Sequence, residues 1–312
     1  NKTIMSKKSE ILVLGTIAFD EIITPTTVSG KILGGSASYI SMSIFFKKPK
    51  SIISIVGNDF PEKNLKMFEA KDIDISGVQV HKKEKTFYWK GLYGENVNER
   101  ETLQTNVNAL LGFIPNLKEK HMSPKIIVLG NISPTAQLML LNKMGATTKP
   151  FVILDTMNYW IDNNLNELNN VIEKADLIVI NNEEAEQLTS TKDLDQAAET
   201  LIKKGPRYVI IKKGDQGATA YSRKKNFSIK ALKQEKVVDT TGAGDSFAGG
   251  LAGHLSNVQE IRFDSIKEAL YFATAAASIC IESFGTKALQ SATKEEFFSR
   301  VDKIKKIQTF NQ

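Results

Sequence analysis

A glycine-containing turn, Gly242–Asp245, has the residue types that could bind an anion beside a carboxylate. The apolar residues after it recur at i, i+4 and i+8 and predict a helix that begins at the turn: Phe247, Leu251 and Leu255. The first backbone N–H groups of a helix have no intrahelical partner and lie at the positive end of the helix dipole, so they attract anions. Glycine lets an anion come close to the backbone. Asp245 is therefore placed to act as a base that takes a proton from a hydroxyl as a phosphoryl group arrives.

The segment Asp239–Asp245, with the sequence DTTGAGD, closely resembles the second signature, D-T-x-G-A-G-D, of the ribokinase-like (PfkB) family of carbohydrate and nucleoside kinases. The match is dense and ordered, so it is far more specific than a lone G-x-G. The resemblance implies that Asp245 is the catalytic base and that Gly242, Ala243 and Gly244 supply the amides of an anion hole. The alternative is a strand-to-helix turn in which Asp245 is only a favourable charge at the helix N-terminus. That alternative does not explain the small residues before the acid.

Two further motifs resemble the substrate side of the same family. The segment Gly34–Tyr39 (GGSASY) resembles G-G-x-x-x-N, although Tyr39 stands where the family has an Asn that commonly helps hold the sugar, which puts ribose in particular in doubt. Asp20 matches a position at which related kinases use a carboxylate to accept hydrogen bonds from two substrate hydroxyls. Each motif alone is also typical of a helix cap or a turn. The residues implied or favoured as substrate-binding are Asp20, Gly34, Gly35, Tyr39, Arg100 and Asn131.

Other motifs resemble the nucleotide side of the family. Asn181–Glu184 resembles N-x-x-E, which organises Mg²⁺ and phosphate largely through water. Lys213–Gly217 contains a G-x-x-G loop similar to one that touches nucleotide phosphates, and a hairpin turn is its structural alternative. The resemblance implies ATP and Mg²⁺ as cofactors and these ATP-binding residues: Asn181, Glu184 (which would serve Mg²⁺ through water), Lys213, Gly214, Gly217 and Thr274. It also implies a monovalent cation such as K⁺ at Asp239 and Thr241, as in some relatives.

Apolar strand-like runs alternate with helix-like stretches along the chain. This alternation predicts an α/β fold with a doubly wound, mostly parallel sheet flanked by helices. The predicted strands are 11–14, 52–56, 126–129, 151–154, 177–180 and 208–212, with 217–221 antiparallel to its neighbour; the predicted helices are 36–46, 62–70, 135–144, 195–204 and one from Thr293 onward. We predict a single domain over 5–312.

One region, Val80–Arg100, interrupts the alternation with a strand-like centre at Thr86–Trp89. A short stretch at Glu21–Thr24 could pair with it and form a small separate sheet. In the family, insertions at corresponding places form a β-lid over the sugar site, which implies a lid here from about 18–32 and 80–105. Such a lid would exclude water and could act as a homodimer clasp. A surface hairpin without a gating role is the alternative.

The composition indicates an ordinary soluble globular chain and excludes several classes of protein. The 312 residues are 41% hydrophobic and include one cysteine and three histidines, which argues against a disulfide framework and a zinc cluster. No apolar run of about 18 residues predicts a membrane span, and the polar N-terminus argues against a signal peptide, so we expect a cytoplasmic protein without a membrane partner. The net charge of +6 is dispersed without the interleaved aromatic residues of a nucleic-acid platform, so no nucleic-acid partner is expected.

The sequence therefore predicts an ATP-dependent kinase that phosphorylates a hydroxyl, with the primary position favoured, of a small sugar. A nucleoside kinase of the same fold is the nearer alternative, because aromatic residues that could stack on a base occur at Tyr39, Phe87, Tyr88 and Trp89. A non-catalytic sugar- or nucleotide-binding regulator is the farther one, although it would have no use for Asp245. The sequence lacks a Walker A motif, a G-x-G-x-x-G after the first strand and a G-x-S-x-G elbow.

Overall fold

A computed structural model describes residues 8–94, 100–145, 149–235 and 237–309 of the chain. Its strands are β1 (Ile11–Leu14), β2 (Ala18–Ile23), β3 (Val28–Gly34), β4 (Lys50–Val56), β5 (Ile73–Val80), β6 (Phe87–Tyr93), β7 (Arg100–Asn106), β8 (Ile126–Leu129), β9 (Phe151–Asp155), β10 (Leu177–Asn181), β11 (Tyr208–Lys212), β12 (Ala218–Tyr221) and β13 (Asn226–Ile229). Its helices are α1 (Ser36–Met42), α2 (Glu62–Ala70), α3 (Pro134–Lys143), α4 (Asn158–Asn163), α5 (Leu165–Lys174), α6 (Asn182–Thr189), α7 (Leu194–Lys204), α8 (Ala243–Leu255), α9 (Phe263–Cys280), α10 (Lys287–Ser291) and α11 (Lys294–Thr309).

Among the described residues, nine strands form one large sheet in the order β13-β12-β11-β10-β9-β8-β1-β4-β5. The strands from β11 to β5 run parallel, whereas β12 pairs antiparallel with β11 and with β13. The predicted doubly wound, mostly parallel sheet is confirmed, as is the antiparallel strand after β11. Because the carboxyl ends of β1, β8, β9, β10 and β11 meet at one edge, the residues after these strands can converge on one site.

The large sheet is buried on both faces. Ile11 and Val13 of β1 belong to one apolar cluster, together with residues of α1, α8, α9 and α11. Leu12 and Leu14 of the same strand belong to the other cluster, together with residues of α3, α5, α6 and α7. This alternation explains why the strands are continuous apolar runs in the sequence. None of the helices in the described ranges has the length and apolar character needed to cross a membrane.

A second, smaller sheet contains β3, β2, β6 and β7, in that order within the described chain. We call it the small sheet. Strand β2 pairs parallel with β6, which brings Asp20 opposite Trp89. Across this pair, Glu21 accepts a hydrogen bond from the hydroxyl of Tyr88 over 3.0 Å and forms an ion pair with Lys90 at 2.7 Å. The predicted pairing of the two segments is therefore present.

Several elements differ from the sequence prediction, among them α1 and β5. Helix α1 ends at Met42 rather than at residue 46, and Phe45, beyond its end, stacks on Phe297 of α11 with ring centroids 4.4 Å apart. The pattern also did not predict β5, in which polar residues such as Asp74 interrupt the apolar run. The C-terminal helix is as predicted, since the Thr293 hydroxyl caps it by accepting the N–H of Glu296 over 3.1 Å.

Candidate active site

The predicted anion-binding turn opens α8 at the carboxyl edge of the large sheet. Gly242 has a left-handed backbone conformation (φ 78°), and the helix begins at Ala243. The carbonyl of Gly242 accepts the N–H of Ser246 over 2.8 Å, which places Asp245 in the first helical turn. The N–H of Ala243 donates to the carbonyl of Thr240 over 3.2 Å, and this bond competes with an anion for that amide.

The ring of Tyr39 packs against the turn. A Cβ at Gly242 would overlap this ring, so the position requires glycine for its neighbour as well as for its φ. Tyr39 is only 1% exposed, and burial raises the pKa of its hydroxyl well above the usual range. The carboxylates of Asp20, Asp239 and Asp245 raise it further. The ring of Tyr39 therefore supports the glycine turn, and the predicted contact of Tyr39 with substrate stays a prediction.

A partly buried lysine, Lys212, at the end of β11 lies beside the turn. A Cβ placed on Gly244 would be 2.7 Å from Nζ of Lys212. The ammonium forms an ion pair with Oδ1 of Asp155, at the end of β9, over 3.7 Å. Burial alone would lower the pKa of Lys212, but the carboxylates of Asp155, Glu184 and Asp245 outweigh it and raise the pKa above its usual value. Lys212 therefore stays positively charged beside the glycine turn.

Lys213, and not its neighbour Lys212, is among the ATP-binding residues predicted from the sequence, and the contact of Lys213 with nucleotide stays a prediction. The backbone N–H of Lys213 donates to the carbonyl of Gly217 over 2.7 Å in the link between β11 and β12. The signal for Lys212 was available, because a charged residue that ends a buried parallel strand lies at the edge where α/β sheets bind ligands. In the same link, Gly214 and Gly217 have positive φ values of 56° and 95°. Their contact with nucleotide stays a prediction, and the hairpin that was its alternative is present.

The substrate-side motifs converge through the hydroxyl of Ser36 at the start of α1. This oxygen accepts the N–H of Thr16 over 3.0 Å and donates to the carbonyl of Asn131 over 3.1 Å. It thereby ties together the segments that follow β1, β3 and β8. Gly35, which precedes Ser36, has φ 89° and would bring a Cβ to 2.5 Å from the carbonyl oxygen of Thr16.

Asp20 and Gly34 lie side by side on paired strands of the small sheet. A Cβ on Gly34 would overlap the carboxylate of Asp20, so the glycine makes room for this acid. Asp20 is 5% exposed. The amide of Asn131 is oriented by Trp160, whose Nε1–H donates to Oδ1 over 2.7 Å. The side chain of Arg100 lies outside the described residues, so its predicted contact with substrate stays a prediction.

Asn181 and Glu184 cap the start of α6. The side chain of Asn181 accepts the N–H of Glu184 over 2.8 Å, and the carboxylate of Glu184 accepts the N–H of Asn181 over 2.9 Å. This reciprocal cap accounts for both residue types structurally. Glu184 is nevertheless near enough to Lys212 to raise the pKa of its ammonium, so the two motifs adjoin. Thr274, one of the predicted ATP-binding residues, lies within α9 and is buried, and its contact with nucleotide stays a prediction.

Thr241, immediately before the glycine turn, connects it to the small sheet. Its hydroxyl lies 2.6 Å from the hydroxyl of Tyr93 at the end of β6. Its N–H donates to Oδ1 of Asp239 over 2.9 Å, and its carbonyl accepts the thiol of Cys280 over 3.5 Å. The monovalent cation predicted at Asp239 and Thr241 stays a prediction.

A family model described as pfkB family carbohydrate kinase matches residues 47–293. The chain belongs to this family. The match spans well over half of the chain and contains the glycine turn, Lys212 and the Asn181–Glu184 cap. This PfkB protein is a phosphotransferase that acts on a hydroxyl, and its class is that of sugar and nucleoside kinases.

The relatives of this PfkB protein, and the solved structures that it resembles, include both sugar kinases and nucleoside kinases. It is 28% identical over 248 residues to the cytidine kinase of Thermococcus kodakarensis, covering 78% of this chain and 88% of that one. It is 28% identical over 179 residues to the adenosine kinase of Saccharomyces cerevisiae, covering 51% and 53%. The nucleoside kinase of Methanocaldococcus jannaschii superposes with a TM-score of 0.76 at 22% identity, covering 96% of this chain and 100% of that one. The ribokinase of Giardia lamblia superposes with a TM-score of 0.81 at 18% identity, covering 95% and 99%.

Proposed function

We propose that this PfkB kinase transfers the γ-phosphoryl group of ATP to a hydroxyl, with the primary position favoured, of a small sugar, and that Asp245 is the general base. The observation that carries the proposal is the left-handed Gly242 opening α8 with Asp245 in the first turn. This geometry brings a carboxylate and helix N-terminal amides to one place, beside the ammonium of Lys212.

The proposed reaction is an in-line transfer. Asp245 takes the proton of the substrate hydroxyl, and the hydroxyl oxygen forms a bond to the γ-phosphorus while the bond from that phosphorus to the bridging oxygen of ADP breaks. The amides of Gly242 and Gly244 stabilise the negative charge on the transferring group. Asp20, whose carboxylate occupies the space left by the missing side chain at Gly34, would accept hydrogen bonds from other hydroxyls of the substrate.

Mg²⁺ fits the acidic residues of the site as an ion held mainly by phosphate and water. Within the described ranges no group of three or more acidic, histidine or cysteine side chains could hold a metal ion by itself. Mg²⁺ retains much of its hydration and commonly uses one or two carboxylates, for which Glu184 is suited through water. The ion would neutralise charge on the phosphates. K⁺ at Asp239 and Thr241 is proposed on the family resemblance alone.

A nucleoside is the second candidate substrate. It is favoured by the match to a cytidine kinase, which covers 78% of this chain and 88% of that one. By contrast, a relative named as a probable fructokinase is 32% identical, but the match covers only 40% of this chain. The aromatic residues do not decide between a sugar and a nucleoside. Tyr88 already donates a hydrogen bond to Glu21 on the small sheet, and Tyr39 is buried under the turn.

The test is ADP formation from Mg·ATP against a panel of sugars and nucleosides, with and without potassium. Asp245→Asn is expected to lower kcat by about 10²–10⁴-fold, the contribution of a positioned base. Asp264→Asn is the matched control, because Asp264 is an exposed carboxylate in the first turn of α9 and should leave kcat unchanged. Turnover on one class of acceptor identifies the substrate; near-normal turnover of Asp245→Asn would overturn the base assignment.

A further inference from the structure

We propose that Lys212 is a further catalytic residue, whose ammonium contacts the transferring phosphoryl group, and that Asp155 positions it. The proposal rests on the proposed function, since it needs a phosphoryl group at the glycine turn. Lys212 ends β11, whereas the turn opens α8, so two separate elements bring the charge and the amides together.

The location of the ammonium carries the argument. Nζ lies 2.7 Å from the place a Cβ of Gly244 would take, so the missing side chain of this glycine lets the ammonium lie directly against the turn. The side chain of Lys212 keeps 18% of its surface exposed, whereas that of Asp155 keeps 7%. The exposed part of the lysine can therefore meet a ligand while its carboxylate partner stays covered.

The carboxylates around Lys212 explain why a positive charge is needed at this place. Asp155, Glu184 and Asp245 all interact with Lys212, so removing the lysine would leave three carboxylates around the place where phosphates must bind. An ammonium held there offsets their repulsion and faces the γ-phosphoryl oxygens as their charge develops. Asp155 holds the lysine from the side of β9, at 3.7 Å.

Lys212 keeps its proton throughout the reaction. The substrate hydroxyl proton goes to Asp245, the new bond joins the hydroxyl oxygen to the γ-phosphorus, and ADP leaves with the electrons of the broken bond. The lysine donates hydrogen bonds to the transferring group and is unchanged at the end. The effect of removing it therefore falls on kcat more than on the KM for ATP.

The experiment compares Lys212→Met, Lys212→Arg and the control Lys224→Met, with Lys224 exposed in the turn between β12 and β13. For Lys212→Met we expect kcat to fall by about 10²–10³-fold, as for the loss of one donor at a developing charge. Lys212→Arg should recover part of that loss because it keeps a positive charge, whereas Lys224→Met should behave as the parent protein.

A second variant separates catalysis from folding. Lys212→Met leaves Asp155 buried without its partner, so Lys212→Met with Asp155→Asn removes both charges and protects the fold. If this double variant melts near the parent temperature and still has a kcat reduced by about 10²-fold or more, the proposal holds. If either folded variant turns over like Lys224→Met, Lys212 is structural and the proposal is overturned. Failure of the parent protein on every acceptor would instead overturn the proposed function.

Discussion

The glycine turn and the small sheet differ in how closely their residues are constrained. At the turn, Gly242 is fixed by its φ of 78° and by the ring of Tyr39, and Gly244 is bordered by the ammonium of Lys212. On the small sheet, apolar side chains such as Val28 and Leu103 are 59% and 45% exposed. Its polar pairing at Glu21 and Lys90 is also partly exposed. The difference shows that the glycine turn is held by dense packing, whereas the small sheet has room to vary in sequence.

The largest effect is expected at the glycine turn, where one added methyl group should lower both stability and activity. Gly242→Ala would put a side chain at positive φ and drive it into the buried ring of Tyr39, at a cost of about 1–3 kcal/mol. We expect a lower melting temperature. We also expect kcat to fall by at least about tenfold, which corresponds to a rise of about 1.4 kcal/mol in the activation free energy. Thermal melting and ADP formation would check both effects.

Gly112→Ala is the matched control for this variant. Gly112 has a similar φ of 69° but has nothing within 4 Å of the added Cβ. It should show the backbone strain without the collision, so its melting temperature should fall less and its kcat should stay normal. Equal effects in the two variants would show that the packing of Tyr39 does not constrain the turn.

The link between the two regions should give an intermediate effect. Tyr93→Phe removes the hydroxyl that lies 2.6 Å from that of Thr241, both being buried. We expect the free energy of unfolding to fall by about 0.5–1.5 kcal/mol, the usual worth of one hydrogen bond. The KM of the acceptor should rise by about fivefold, the factor of about 1 kcal/mol, because the end of β6 loses its tie to the turn.

A double-mutant cycle with Thr241→Val measures that link directly. If the hydroxyls bond only to each other across the two regions, the combined variant should lose less than the sum of the single losses. Additive losses would show that the small sheet and the turn are energetically independent.

The smallest effect is expected within the small sheet. Glu21→Gln removes the negative partner of Lys90 and Tyr88, whose hydrogen bonds lower the pKa of the Glu21 carboxyl below its usual value. A carboxyl with a lowered folded-state pKa stabilises the fold above its unfolded pKa and loses that contribution as the pH falls through the folded value. The melting temperatures of Glu21→Gln and parent protein should therefore differ slightly at pH 7 and converge in acid and at high salt. A difference that persists in 1 M salt, where the Debye length is only about 3 Å, would contradict a surface ion pair.

The parts of the molecule that could be predicted from the sequence are those encoded by residues close together in the chain. The alternating apolar runs predicted the parallel sheet, and the DTTGAGD segment predicted a turn that opens a helix with Asp245 in its first turn. The small sheet followed from the interruption of that alternation.

Contacts between distant residues could not be predicted in the same way. Tyr93 and Thr241 are 148 residues apart, and the pattern contains nothing that pairs them. The position of Lys212 beside Gly244 depends on how β11 and α8 pack, so the neighbouring Lys213 was an equally good candidate in the sequence. The burial of Tyr39 under the glycine turn likewise follows from the packing of α1 against α8, which no local pattern reveals.

The single cysteine of the protein makes the glycine turn observable by chemistry. Cys280 is fully buried, its thiol donates to the carbonyl of Thr241, and burial raises its pKa to about 12. A thiol reagent at neutral pH can therefore react only with molecules in which this region has opened, since the thiolate is the reactive form. The rate at which the reagent labels Cys280 therefore measures how often the region around the turn opens. Its slowing by nucleotide or acceptor would measure how strongly each ligand closes the site.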